Sequence, residues 1–174
     1  MLTETAYRVD TDLIELALKS LPDIDFKLAI NRPTGNFFYD AWELKKDFQG
    51  TVWETLYNSL PELKGEARII KLEPGETYSS HADIDDRWHL NLSGNNCFLI
   101  DLDNKQLIPL KQDGVWYSMN ASWKHTAGNF GNRIRYQLVV RKLLTKGTGT
   151  LFNAYITSNI CLLYTSPSPR DGLL

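Results

Sequence analysis

The hydrophobic period of the sequence changes near residue 67, from the helical repeat of about 3.6 residues to the two-residue repeat of strands. Before that point, residues 12–21 and 51–60 each carry an apolar stripe at helical spacing, and each is followed or ended by a proline. After it, short alternating segments are separated by turn-forming residues. This order predicts a mainly β fold, a double-stranded β-helix or jelly roll, with N-terminal helices packed on it.

Two of the predicted strands, residues 87–92 and 133–143, have one apolar face and one polar face. Their polar faces carry Arg87, His89 and Asn91 on the first strand and Arg133, Arg135 and Gln137 on the second. Further strands are predicted at residues 69–72, 97–100, 106–110 and 115–119.

Composition limits the classes of function. The chain has 174 residues, enough for one domain with a core, and 19 basic against 21 acidic residues give a net charge of −2. No nucleic-acid partner is expected, because a polyanion binder needs a basic surplus. The sequence has no apolar stretch of membrane-spanning length and does not begin with a signal-peptide pattern, so we expect no membrane partner and a cytoplasmic location.

We expect a single domain over residues 1–160, with a helical lead-in at 1–66 and the jelly-roll core at 67–145. Residues 161–174 contain two prolines, show no hydrophobic period and resemble the translated sequencing-adapter tails of metagenomic reading frames. They are therefore predicted to be a non-native tail, and Cys161 is not expected to be a native residue. With Cys97 as the only other cysteine, neither a disulfide framework nor a cysteine-rich zinc site is expected.

The three histidines of the chain, His81, His89 and His125, include a candidate metal site. His81 and Asp83 are two residues apart, and in extended structure this spacing directs both side chains to the same side. His125 follows a later predicted strand and loop. Two imidazoles and one carboxylate that leave adjacent coordination positions open are the set that suits non-haem Fe(II).

A cation and a hydroxyl group accompany this set. Arg135 lies on the strand after His125, on its polar face, where a guanidinium can hold a carboxylate through two parallel hydrogen bonds. Tyr78 precedes His81 by three residues. Simpler roles stay open for the neighbours, since Arg87 can pair with a nearby aspartate and His89 can be a hydrogen-bonded interior residue.

Together these residues resemble the iron(II)- and 2-oxoglutarate-dependent oxygenases. Tyr-x-x-His-x-Asp at residues 78–83 is similar to the prolyl 4-hydroxylase pattern. Arg-x-His-Leu at residues 87–90, followed by Trp116 and His125, is more similar to the aspartyl/asparaginyl β-hydroxylase branch. That branch can lack the carboxylate ligand, whereas this chain has Asp83. The resemblance covers roughly the second half of the chain and nothing before residue 67.

The resemblance implies an Fe(II)- and 2-oxoglutarate-dependent dioxygenase that hydroxylates a peptide side chain or a small molecule, with succinate and CO2 as co-products. The implied roles are iron ligation by His81, Asp83 and His125, binding of the 2-oxoglutarate carboxylate by Arg135 with Tyr78, and lining of the cosubstrate or substrate side by Arg87 and His89.

Two other functions remain open at the level of sequence. One is a non-catalytic, cupin-like module that binds a metal or a sugar, and the other is a structural jelly roll that needs no metal. Arg135 separates the first of these from an oxygenase, because only an oxygenase needs a cation to hold a cosubstrate carboxylate.

Overall fold

The structure, a computed structural model, describes residues 1–144. Over this range most elements are strands, accompanied by two α-helices and one turn of 3-10 helix at Lys46–Phe48. The strands are β1 (Leu2–Arg8), β2 (Lys27–Ala29), β3 (Asn31–Pro33), β4 (Trp42–Leu44), β5 (Lys64–Leu72), β6 (Arg87–Asn91), β7 (Cys97–Asp101), β8 (Gln106–Pro109), β9 (Val115–Met119), β10 (His125–Asn129) and β11 (Arg135–Lys142). The helices are α1 (Thr11–Lys19) and α2 (Val52–Asn58).

Six strands form an antiparallel sheet in the order β1-β9-β6-β11-β5-β2. Near its centre β11 pairs with β5 on one side and with β6 on the other, so that Leu138 lies opposite both Ile69 and Leu90. Residues directly opposite each other in an antiparallel pair share a face of the sheet. These three side chains are fully buried and form the middle of an apolar layer.

A second antiparallel sheet has the strand order β10-β7-β8. Residues 77–81 extend it along the outer side of β10 through two isolated bridges, Thr77 with Gly128 and His81 with His125. The second bridge places one predicted metal ligand directly across from another.

The two sheets face each other. Met119 of the larger sheet packs in one apolar cluster with Leu99 and Ala127 of the smaller sheet. Two facing antiparallel sheets, with consecutive strands passing from one sheet to the other, are the arrangement of a jelly roll. The prediction of a mainly β fold is therefore confirmed.

The two helices lie close to their predicted positions but are shorter than residues 12–21 and 51–60. The side chain of Asp10 caps α1 by accepting a backbone N–H bond at 2.9 Å, so that helix begins at Thr11. Thr51 caps α2 in the same way at 3.2 Å. The apolar stripes locate both helices, whereas their ends depend on local hydrogen bonds.

The main apolar core lies between the helices and one face of the six-stranded sheet. Its buried members include Ile14, Ala17, Trp53, Leu56, Leu60, Ala67, Ile69, Leu90, Trp116, Leu138 and Val140. The opposite face of the same sheet is largely polar and looks toward the smaller sheet. Burial of one face by helices thus leaves the other to form a polar interior.

The segment predicted as a helical lead-in, residues 1–66, also contains four strands, so that prediction is wrong over those stretches. β1 pairs with β9 and β2 pairs with β5, which makes them the two edges of the larger sheet. β3 and β4 form a separate two-stranded ribbon. Strands of only three residues cannot establish a period, and the polar β1 does not alternate apolar and polar residues as a half-buried strand does.

The predicted non-native tail at residues 161–174 lies outside the described residues, as do Cys161 and the predicted domain end at residue 160. Within residues 1–144, none of the helices has the length and apolar character needed to cross a membrane.

A buried amide joins the N-terminal ribbon to the larger sheet. Asn31 accepts a hydrogen bond from the Ala67 amide at 2.7 Å and donates to the Gly65 carbonyl at 2.8 Å. We predict that Asn31→Ala lowers the free energy of unfolding in urea by about 2–3 kcal/mol, because it leaves both backbone groups buried without partners. The exposed Asn58→Ala is the control and should stay within about 0.5 kcal/mol of wild type. Equal stability of the two variants would contradict this interpretation.

Candidate metal centre

Backbone pairing brings the candidate ligands together. The amide of His81 donates to the carbonyl of His125 at 2.9 Å, and the amide of His125 donates back at 2.7 Å. The amide of Asp83 then donates to the Ala121 carbonyl at 2.8 Å. These bonds fix the chain on both sides of the cluster, so the ligands are positioned by the sheet rather than by a loose loop.

The three side chains converge on one point. Their ligand atoms all lie within 4.8 Å of one another. The Nε2 atoms of His81 and His125 are each 3.9 Å from Oδ2 of Asp83. No other group of three or more His, Cys, Asp or Glu residues within residues 1–144 has this geometry.

Hydrogen bonds orient both imidazoles. Nδ1 of His81 lies 2.8 Å from the Ser79 carbonyl, and Nδ1 of His125 lies 2.7 Å from the Trp123 carbonyl. A carbonyl oxygen can only accept, so each Nδ1 carries the proton and each Nε2 presents its lone pair toward Asp83. This is the orientation that backbone carbonyls commonly give to metal-binding histidines.

The charge states also suit a cation. Burial lowers the pKa of His125, which keeps its imidazole neutral and able to donate a lone pair. Burial by itself would raise the pKa of Asp83, but the charge of Arg87 holds it below its ordinary value. Two imidazole nitrogens and one carboxylate oxygen fit a divalent first-row metal ion.

The side chain of Arg87 pairs with two carboxylates. Its Nη2 lies 3.1 Å from Oδ1 of Asp83, and its Nη1 pairs with the carboxylate of Asp85. Arg87 therefore contacts a candidate metal ligand, and its predicted role in lining the cosubstrate or substrate side stays a prediction. The sequence alternative, an ion pair with Asp85, is present, but it is buried and not solvated.

Arg135 is buried, with 3% of its surface exposed. Its Nη2 donates to Oε1 of Gln137, whereas its Nε and Nη1 are buried and have no hydrogen-bond partner among the described residues. The Tyr78 ring lies 5.8 Å from the guanidinium carbon. A buried cation with two unsatisfied N–H groups is expensive, and such a group commonly marks a binding site.

A chain of amides supports Arg135, and sequence reasoning did not assign it a role. Nε2 of Gln137 donates to Oδ1 of Asn91 at 2.5 Å, and Nδ2 of Asn91 donates to the Lys111 carbonyl at 2.9 Å. Both amides lie on the polar strand faces that the alternation identified. The sequence signal that could have identified them was their position on the polar faces of these two strands.

His89 is also buried, and its Nε2 has no hydrogen-bond partner in the part of the chain that the structure describes. Burial, followed by the charges of Arg135 and Arg87, lowers its pKa to about 3. The imidazole is therefore neutral near pH 7. The structure thus places His89 in the same electrostatic environment as Arg135 and the candidate metal ligands.

No protein-family model matches the sequence, and neither does any curated protein. Among solved structures, the chain is similar to AviO1 from Streptomyces viridochromogenes Tue57, with a TM-score of 0.53, 11% identity and coverage of 83% of this chain and 90% of that one. It is also similar to a viral collagen prolyl hydroxylase from Paramecium Bursaria Chlorella virus-1 in complex with 2OG, with a TM-score of 0.51, 10% identity and coverage of 83% and 96%.

The chain has an oxygenase-like fold. A further similar structure is an oxidoreductase of the 2OG-Fe(II) oxygenase family from Burkholderia pseudomallei, with a TM-score of 0.48, 11% identity and coverage of 66% and 64%. The alignment with the viral hydroxylase includes most of both chains, so the similarity extends well beyond the motif region. The resemblance to 2-oxoglutarate oxygenases that the motifs predicted is confirmed at the level of the fold.

The low pKa of His89 has a consequence for stability. In the unfolded chain this imidazole takes up a proton near pH 6.5, whereas in the folded protein it stays neutral until about pH 3. As the pH falls below 6.5, the unfolded state therefore binds the proton first and gains stability relative to the folded state. We predict a loss of about 1.4 kcal/mol per pH unit from this group between pH 6 and 4.

Urea unfolding at several pH values measures this effect. His89→Leu removes the titrating group and should give a shallower decline of the unfolding free energy toward acid pH. The part that remains is expected to include His125, whose pKa is also lowered. An equally steep decline in wild type and His89→Leu would show that His89 is not held neutral.

Proposed function

We propose that this protein is an Fe(II)- and 2-oxoglutarate-dependent dioxygenase that hydroxylates a peptide side chain or a small molecule. His81, Asp83 and His125 would hold the iron. The observation that carries the proposal is the combination of this cluster with Arg135, a buried cation with unsatisfied donors in the same interior.

The histidine and aspartate side chains would contribute geometry and charge. Two Nε2 donors and one carboxylate leave part of the coordination sphere of a divalent metal to other ligands. The bound iron would couple decarboxylation of 2-oxoglutarate by O2 to insertion of one oxygen atom into a substrate C–H bond, leaving succinate and CO2. The protein itself would orient the reactants.

Arg135 would hold the cosubstrate. Its Nε–H and Nη1–H groups are buried and unpartnered in residues 1–144, and a guanidinium makes strong charge-assisted hydrogen bonds to a carboxylate. Gln137 holds the third nitrogen, Nη2, which leaves the other two nitrogens directed elsewhere. A dicarboxylate with one end on the metal and the other on Arg135 would satisfy both requirements.

His89 and Tyr78 would shape the same pocket. The neutral imidazole of His89 can donate or accept a hydrogen bond without adding a second positive charge beside Arg135. The Tyr78 ring covers the guanidinium at a distance that permits a cation–π contact. Arg135 would therefore be the single positive charge at this end of the pocket, and the Tyr78 ring would limit the access of water to it.

Substrate would approach from the side of His81. Its side chain is 42% exposed, against 26% for Asp83 and 6% for His125. The cluster is thus open on one side and closed by the sheets on the other. An opening at the metal and a closed end at Arg135 suit a cosubstrate that binds inside and a substrate that reacts at the surface.

A metal- or sugar-binding module without turnover is less well supported. Such a module would need the metal ligands but would have no use for a buried arginine with two unsatisfied N–H groups. Replacing Arg135 with an uncharged residue would be neutral or stabilising for a module of that kind. The presence of Arg135 is therefore an argument for a carboxylate ligand.

The direct experiment is anaerobic titration of the protein with Fe(II) and 2-oxoglutarate. We expect a metal-to-ligand charge-transfer absorption band in wild type and none in His81→Ala. Succinate release in air without added substrate is the second readout, because uncoupled turnover does not require the target. A folded wild-type protein that shows no band would contradict the proposal.

The role of Arg135 can be tested separately from the metal. We predict that Arg135→Gln weakens 2-oxoglutarate binding about 100-fold, equivalent to about 3 kcal/mol, because charge-assisted hydrogen bonding to the cosubstrate carboxylate is lost. Fe(II) binding and thermal stability should be retained, since the variant removes a buried charge that lacks partners. The exposed Arg133→Gln is the matched control and should behave as wild type. Unchanged 2-oxoglutarate affinity in Arg135→Gln would rule out this site for the cosubstrate.

A further inference from the structure

We propose that Arg87, fixed in place by Asp85, is a positioning residue that restricts Asp83 to metal ligation through one oxygen. The inference rests on the proposed function and adds a restraint that keeps coordination positions open for the cosubstrate. It is carried by a buried group of one aspartate and two arginines that contacts the metal cluster at Asp83.

Arg87 bridges two carboxylates. Its Nη2 lies 3.1 Å from Oδ1 of Asp83, while its Nη1 contacts the carboxylate of Asp85 and donates to the Asp85 backbone carbonyl at 2.7 Å. The arginine is 8% exposed and Asp85 is 3% exposed. The guanidinium is therefore held at one edge and presents its other edge to Asp83.

Asp85 is itself fixed from a second direction. Its Oδ2 accepts hydrogen bonds from Arg141, which is also buried. The Arg141 guanidinium lies 4.0 Å from the centre of the Phe37 ring, which covers it on the side of the N-terminal segment. One carboxylate thus anchors two arginines, and neither Asp85 nor Arg87 can turn without breaking an ion pair.

Energetics favour a positioning role over a purely stabilising one. Buried ion pairs add little net stability compared with apolar residues of the same size, because the charges lose their hydration. Three buried charges next to a metal site, those of Asp85, Arg87 and Arg141, therefore call for another explanation. Orientation of a ligand by groups that do not touch the metal is a common one.

The orientation has a direct consequence at the metal. A carboxylate can bind a cation through one oxygen or through both. Arg87 engages Oδ1 of Asp83, so Oδ2 alone faces the histidines, at 3.9 Å from each Nε2. Binding through one oxygen of Asp83 leaves one more coordination position of the metal open than binding through both oxygens would. A cosubstrate that binds through two atoms, together with O2, needs that position.

Arg87→Lys tests the proposal, because a lysine can hold one carboxylate but cannot fork between two. The probes are Fe(II) alone and Fe(II) with 2-oxoglutarate, both under anaerobic conditions, and the matched control is Arg133→Lys. We expect 2-oxoglutarate affinity to fall about tenfold or more, with a shifted charge-transfer band, while Fe(II) affinity changes by less than about threefold. Arg133→Lys should match wild type.

The outcomes separate this inference from the proposed function. If wild type binds Fe(II) and 2-oxoglutarate and Arg87→Lys does so with equal affinity and the same band, the positioning role is wrong and the proposed function stands. Parallel loss of Fe(II) and 2-oxoglutarate affinity would also overturn it, because that pattern indicates general disruption of the site. If wild type binds neither probe, the proposed function itself fails.

Asp85→Asn provides an independent variant should Arg87→Lys not fold. It keeps the size of the side chain and removes the charge that anchors Arg87. Thermal unfolding establishes that the variant is folded before binding is measured. The same selective loss of 2-oxoglutarate affinity is expected, and wild-type affinity in folded Asp85→Asn would contradict the proposal.

Discussion

The reciprocal backbone pair between His81 and His125 is the contact on which the candidate site depends. These residues are distant in sequence, and an extended segment that lies along β10 is what brings them face to face, with amide-to-carbonyl distances of 2.9 and 2.7 Å. Residues paired in this way direct their side chains to one side of the sheet. Asp83 follows two residues later and returns to the same side, so one local pairing assembles all three candidate ligands.

The two faces of the larger sheet divide structural and chemical roles. One face buries apolar side chains against α1 and α2, and this packing supplies the hydrophobic driving force for the fold. The other face buries Arg135, Gln137 and His89, whose desolvation opposes folding. The apolar layer offsets that penalty. Burial of the apolar face therefore compensates for the free-energy cost of the unsatisfied donors on the polar face.

Much of this arrangement could be predicted from the sequence, because strict alternation in 87–92 and 133–143 determines which side chains share a face. The same alternation could not reveal β1 to β4, which are polar or too short to show a period. It also could not decide what Arg87 contacts, since a residue on the correct face can pair with Asp83, Asp85 or a ligand. Gln137 lay on the predicted polar face, but its bond to Arg135 depends on side-chain conformation.

We propose that His81, Asp83 and His125 form one metal centre. The most direct measurement is the anomalous X-ray scattering of crystals of the protein soaked with Mn(II), recorded on both sides of the manganese absorption edge. We predict one peak among Nε2 of His81, Nε2 of His125 and Oδ2 of Asp83, present above the edge and lost below it. Crystals that take up Mn(II) elsewhere, with no peak among these three atoms, would contradict the account.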